Sequence, residues 1–158
     1  MQRLMKLTVL SLVAIGFAAG CNKKETEEQS SPAPQVTKAL STVVVPAQVQ
    51  GKWKAVQIEV ADKNAHLKKV YSVKIGSDFK LPGSDLTLKV ETFLPHFVME
   101  GTTLTSQSND LVNPAAQLVI RENGKEIYKG WLFSLYPATH AFQHPQYGFT
   151  LVDYQPAS

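Results

Sequence analysis

The chain predicts an all-β fold: a single antiparallel β-sandwich or partly open β-barrel of about seven short strands. Three observations carry that expectation. Apolar and polar residues alternate with period 2 from about Leu40 to Tyr154, turn-forming clusters separate the runs, and no window holds the i, i+3, i+4, i+7 stripe of an ordinary helix. Val56, Ile58 and Val60 alternate with Gln57 and Glu59. Tyr71, Val73 and Ile75 alternate with Ser72 and Lys74, and Leu86, Leu88 and Val90 with Thr87, Lys89 and Glu91. Each run reads as a strand with its apolar side turned inward. Asp62-Lys63-Asn64, Gly76-Ser77-Asp78 and Leu81-Pro82-Gly83-Ser84-Asp85 supply the turns.

The sharpest local expectation is a hairpin at Asn123-Gly124. Asn-Gly suits a two-residue type I′ turn because both positions need positive φ. That turn sets Glu122 opposite Lys125 and Arg121 opposite Glu126, two opposite-charge pairs. Ile120 then faces Ile127, and Val119 faces Tyr128.

Length and composition narrow the class. The 158 residues, 44% hydrophobic and 18% charged, suit one domain and not a disordered chain. The net charge is +3, and without Arg3 and Lys6 it falls to +1, from 14 basic and 13 acidic side chains. Such a balance lacks the electrostatic footprint of a nucleic-acid binder. No repeat of the length used by propellers or solenoids is present.

The amino terminus reads as an export segment. Arg3 and Lys6 precede a 13-residue apolar run, Leu7 to Ala19, and small residues then lead into the only cysteine as Ala18-Ala19-Gly20-Cys21. A spanning helix needs about 20 apolar residues, so this run has the size of a secretory core and not of an anchor. The arrangement resembles the bacterial lipobox. That resemblance implies a lipoprotein signal peptide over 1–20 and lipidation of Cys21, with membrane attachment through diacylglyceryl and a further acyl chain. Two or three chains hold a protein durably where one does not. Asn22, in place of the Asp that retains such proteins in the inner membrane in enteric-type sorting, favours the outer membrane. Residues 21–39 follow as the lipidated Cys and a tether rich in charge, Ser and Pro, and 40–158 as the β domain. With Cys21 consumed, no thiol is left for a disulfide, a metal or a nucleophile.

Candidate chemistry is sparse. His140 and His144 stand four apart, but Pro137 and Pro145 bracket them against one regular helix, and no metal site is expected. The expectation is an exposed His140 and a His144 held by the turn at Pro145. Gly-x-Ser-x-Gly elbows and Gly-rich phosphate loops are absent. Asp78, Asp85, Glu91 and Glu100 read as solvated charge at turns and outward strand faces, not as a pair of catalytic carboxylates. His144 beside Asp153 would lack a nucleophile. No catalytic residue and no cofactor is expected.

The most aromatic stretch runs from Gly130-Trp131-Leu132-Phe133 through Pro137 to Phe142, His144, Tyr147 and Phe149. In one reading Trp131 and Phe133 end a core strand, Pro137 to Pro145 packs as a loop, and Tyr147 opens the last strand. In the other, some of the rings line a groove, since aromatics on a fixed backbone suit recognition. The candidate binding residues are Trp131, Phe133, Pro137, His144 and Tyr147. Phe93-Leu94-Pro95-His96-Phe97-Val98-Met99 reads as packing with a rim.

Over roughly Pro114 to Asp153 the chain resembles a bacterial family of exported domains, domain of unknown function 2155. The shared features are Gly130-Trp131-Leu132-Phe133, Pro137 and His144-Pro145-Gln146-Tyr147, whereas Tyr154 stands where many members have a cysteine. The resemblance implies an envelope location and a compact β fold, with no activity attached. A looser similarity joins Asn113-Pro114-Ala115 and Gly124-Lys125 to the periplasmic domain of a membrane-bound cytochrome c assembly protein. Three functions follow in order: a non-enzymatic envelope module that binds a partner or serves in assembly, a heme or small-ligand handling domain linked to cytochrome c maturation, and a cell-wall hydrolase. Oligomeric state is left open.

Overall fold

The computed structural model describes residues 41–158, which belong to one compact unit. The expected signal peptide, the lipidation of Cys21 and the tether lie outside the described residues.

Ten strands make an all-β domain among the described residues, more than the seven anticipated. They are β1 (Thr42–Val43), β2 (Trp53–Asp62), β3 (Leu67–Lys74), β4 (Asp78–Lys80) and β5 (Leu86–Leu94), then β6 (Phe97–Glu100), β7 (Thr103–Ser106), β8 (Ala115–Glu122), β9 (Lys125–Phe133) and β10 (Tyr147–Pro156). The extra three are short pieces that alternation alone does not mark: β1, β4 and the split of Phe97–Ser106 into β6 and β7. The strands form three sheets ordered β4-β5-β8-β9, β10-β2-β3 and β1-β7-β6, none closed into a barrel. All pairings are antiparallel except β1 with β7.

One apolar cluster draws on both larger sheets. Val56, Ile58 and Val60 of β2, Val73 of β3 and Phe149 and Leu151 of β10 meet Leu86, Leu88 and Val90 of β5 and Leu118 and Ile120 of β8. The alternating runs therefore point where period 2 sends them. Two strands keep facing this layer only by dropping a residue. In β5 the register shifts between Val90 and Thr92, and Phe93 instead of Thr92 becomes the next core residue. In β10 it shifts between Leu151 and Asp153, which turns Tyr154 inward beside Trp53 and Phe93. A bulge reverses the phase of the side chains that follow it.

The Asn123-Gly124 hairpin forms, with φ of 49° and 81° at its two central residues, and Glu122 pairs with Lys125 and Arg121 with Glu126. Beyond that rung the expected register fails. A shift between Ile120 and Arg121 leaves Ile127 unpaired and sets Ile120 opposite Tyr128 and Val119 opposite Lys129. The extra residue brings Tyr128, Gly130 and Leu132 onto the face of Ile120, Leu118 and Ala116, and Lys129, Trp131 and Phe133 onto the other. Arg121 makes its ion pair with Asp78 of β4, at 3.3 Å, and not across the hairpin.

The β2–β3 connection is set by Asp62, whose Oδ1 accepts the N–H groups of Asn64 and Ala65, each at 3.0 Å. The bond from Ala65 is the main reason its pKa lies below the usual carboxylate value; Gln146, Asn64 and His66 act in the same direction, while desolvation opposes them.

Two outcomes follow for stability. Leu118, fully buried between the sheets, should cost about 2–5 kcal/mol when cut to Ala, measured by urea unfolding. Asp62 has its pKa lowered on folding, so its contribution is present above the ordinary carboxylate range and is lost as pH falls through the folded value. The midpoint of unfolding should therefore drop more steeply on acidification below that range in the parent chain than in Asp62→Asn.

Candidate functional site

β9 is the last strand of its sheet, and its outer side faces a groove. Ser134 N–H donates to Pro114 C=O at 3.1 Å, just beyond the paired rungs Phe133–Ala115 and Leu132–Ala116. Antiparallel ladders alternate between rungs that exchange hydrogen bonds and rungs that do not. Gly130 and Leu132 thus bond towards β8, and the main-chain groups of Lys129, Trp131 and Phe133 point away from it. No strand among the described residues takes them up.

Around that edge lies an apolar groove of about 420 Å³. Trp131 and Phe133 form one wall, and Phe97, Met99 and Leu104 from β6 and β7 form the other. Phe97 meets Trp131 edge-on at 5.1 Å and Phe133 at 5.0 Å, which holds the two walls in register. Trp131 and Phe133 are half-buried and stand outside the main core cluster, and Met99 is 60% exposed. Lys129 is held along the sheet by an ion pair with Glu91 at 2.7 Å.

Gly130 shapes the far side of the groove. A Cβ there would collide with the hydroxyl and ring of Tyr128, which lies flat over the glycine. From that position the Tyr128 hydroxyl donates to His140 C=O at 3.2 Å, and the ring packs on Phe142 at 4.7 Å. Burial raises the pKa of Tyr128. The loop after β9 is thereby folded back beside the groove, where Thr139 and His140 line it.

The five residues singled out in the sequence do not converge. Trp131 and Phe133 share the groove. Pro137 is exposed, in the turn closed by Thr139 N–H on Tyr136 C=O. Tyr147 is a buried core residue. His144 sits in a separate aromatic cluster against Phe142 and Tyr147. Its Nδ1 accepts the N–H groups of Gln146 at 3.2 Å and Tyr147 at 3.1 Å, so the turn at Pro145 holds it as anticipated. The nearest carboxylate is Glu122, 3.7 Å from Nε2 and too far for a hydrogen bond. Asp153 is occupied instead with the N–H of Tyr154. His140 is exposed, with φ of 52°.

The Phe93–Met99 stretch divides as packing and rim: Phe93 and Leu94 are buried, while Phe97 and Met99 reach the groove. Tyr128 and Leu104 went unmarked in the sequence. The signal for Tyr128 was Gly130 two residues on, since an aromatic beside a same-face glycine on an edge strand covers the gap. Nothing local marks Leu104.

Gly130→Ala should displace the Tyr128 ring, break its bond to His140 and loosen Phe142. Hydrogen–deuterium exchange should then quicken over residues 136–146 and stay unchanged over β8.

No protein-family model, curated protein or solved structure matches the chain, so the site is known by its geometry alone.

Proposed function

We propose that this chain is a lipid-anchored protein of the cell envelope whose β domain is a non-enzymatic docking module. The two larger sheets act as the layers of a sandwich, and β1-β7-β6 lies against one of them as the second wall of the binding groove. The partner presents an extended segment that adds to the free side of β9. The carrying observation is the coincidence of unpaired main-chain groups at Lys129, Trp131 and Phe133 with a groove walled by Phe97, Met99 and Trp131. In strand addition the main chain supplies affinity and the pockets beside it choose alternate side chains. The export segment and Cys21 support the envelope location, in the outer membrane by the identity of Asn22.

Two measurements test this. Growth with an alkyne analogue of palmitate should label the chain, and Cys21→Ala should remove the label; an unlabelled parent chain overturns the anchor. A photo-crosslinking residue at Met99 should join the protein to one envelope partner through a segment mapped by mass spectrometry. Lys129→Pro removes a donor that no neighbouring strand uses, along with a partly exposed ion pair to Glu91 that contributes little. It should therefore spare folding and cut the crosslink about fivefold or more, one lost main-chain bond to a shielded site being worth about 1 kcal/mol or more. A crosslink indifferent to both Lys129→Pro and Trp131→Ala overturns strand addition.

A further inference from the structure

We propose a second, separate site, for a small zwitterion such as a free α-amino acid with an apolar side chain, at the mouth between β2–β3 and the Leu81–Gly83 turn. A cavity of about 240 Å³ opens there. Its volume is about eight water molecules' share of the liquid, the bulk of an amino acid and not of a nucleotide or a sugar chain.

The register explains its unusual lining. Asp62 pairs with Tyr147 on one side and Leu67 on the other, and Val60 in the next inward row pairs with Phe149 and Lys69. Two opposite charges thus stand on the face that elsewhere carries the core. Lys69 is exposed and Asp62 partly exposed, so both charges reach the mouth of the cavity. Asp62 and Lys69 are diagonal neighbours across the ladder, but no ion pair joins them among the described residues. Lys69 has no hydrogen-bonding partner among those residues. Asp62 keeps acceptor capacity on Oδ2, where only Gln146 Nε2 approaches, at 3.2 Å.

Tyr147 is a second and independent observation. It lines the cavity with 9% of its surface exposed; no described residue hydrogen-bonds its hydroxyl, which is not among the fully buried unpaired atoms and so faces the cavity opening. Its hydroxyl can donate a hydrogen bond into the cavity, and desolvation, then Asp62, raise its pKa. An anion would meet Asp62 and a cation would meet Lys69. A molecule carrying both charges satisfies both, its ammonium on Asp62, its carboxylate on Lys69 and Tyr147. The apolar side chain would cover Leu67, 57% exposed at the rim, against Leu81 and Pro82.

Calorimetric titration of the full chain with L-leucine tests the site, with leucinamide and N-acetyl-leucine each lacking one charge. Leucine should bind saturably, and both blocked forms should bind at least about tenfold more weakly, the loss expected for one charged hydrogen bond. Lys69→Gln, on an exposed side chain that the fold does not use, should weaken leucine and leave leucinamide unchanged. Tyr147→Phe should weaken leucine, and Trp131→Ala should not, which separates this site from the groove. Absence of saturable binding, equal binding of the blocked forms, or leucine binding that survives Lys69→Gln overturns the proposal.

Discussion

The constraint on which the structure depends is that one side of each larger sheet must stay apolar wherever the two meet in the shared core. The chain has a single cysteine, and it lies outside the described residues, so no disulfide staples the layers there. Burial of aliphatic side chains is the main favourable contribution left, and it is forfeited wherever a strand turns the wrong side inward. The odd residues in β5 and β10 show how the phase is kept. Without them Thr92 and Asp153 would enter the layer, and Phe93 and Tyr154 would leave it. The aromatic contacts of Trp53, Phe93 and Tyr154, with centroid distances of 5.1 to 6.4 Å, exist because both shifts occur at the same end of the shared core.

The same device on β9 has a different result. Its unpaired Ile127 divides the strand's rings between two sides. Tyr128 goes to the core side, where it ties the following loop down, and Trp131 and Phe133 go to the outer side, where β6 and β7 meet them. The aromatic richness of this region serves two neighbourhoods: a packed one around Phe142, His144 and Phe149, and an open one around Trp131. Tyr128 touches both, since it packs on Phe142 and also lines the groove.

Much of the fold was legible in the residue pattern, and much of the site was not. Period 2 marked β2, β3 and β5 and told which of their side chains are buried, because that information is local. Asn123-Gly124 specified its turn for the same reason, through φ. The rungs past Arg121 were misread because a bulge is set by what Tyr128 and Trp131 must reach across space, not by the turn. Trp131 and Phe133 were found by composition, while Pro137, His144 and Tyr147 were grouped with them by nearness in sequence. The loop separates them, sending His144 to its own turn and Tyr147 to the core. Leu104 joins Trp131 only because β7 folds over that face, and no short-range signal reports such a meeting. Period 2 puts Asp62 on the face of Val60 and Lys69 on the face of Tyr71, but only the β2–β3 register shows that the two charges are neighbours.

The opening residues of the described chain carry a mechanical consequence. Thr42 and Val44 donate to Thr102 and Leu104, each at 2.9 Å, and β1 runs parallel to β7 over only two residues. Tension applied along the backbone at Ser41 would therefore load these few bonds in shear before it reached the interlayer core. Ser41 and Leu104 both border the groove. A pull on the leading end would deform that wall first, so the force on the chain and the shape of the groove are coupled.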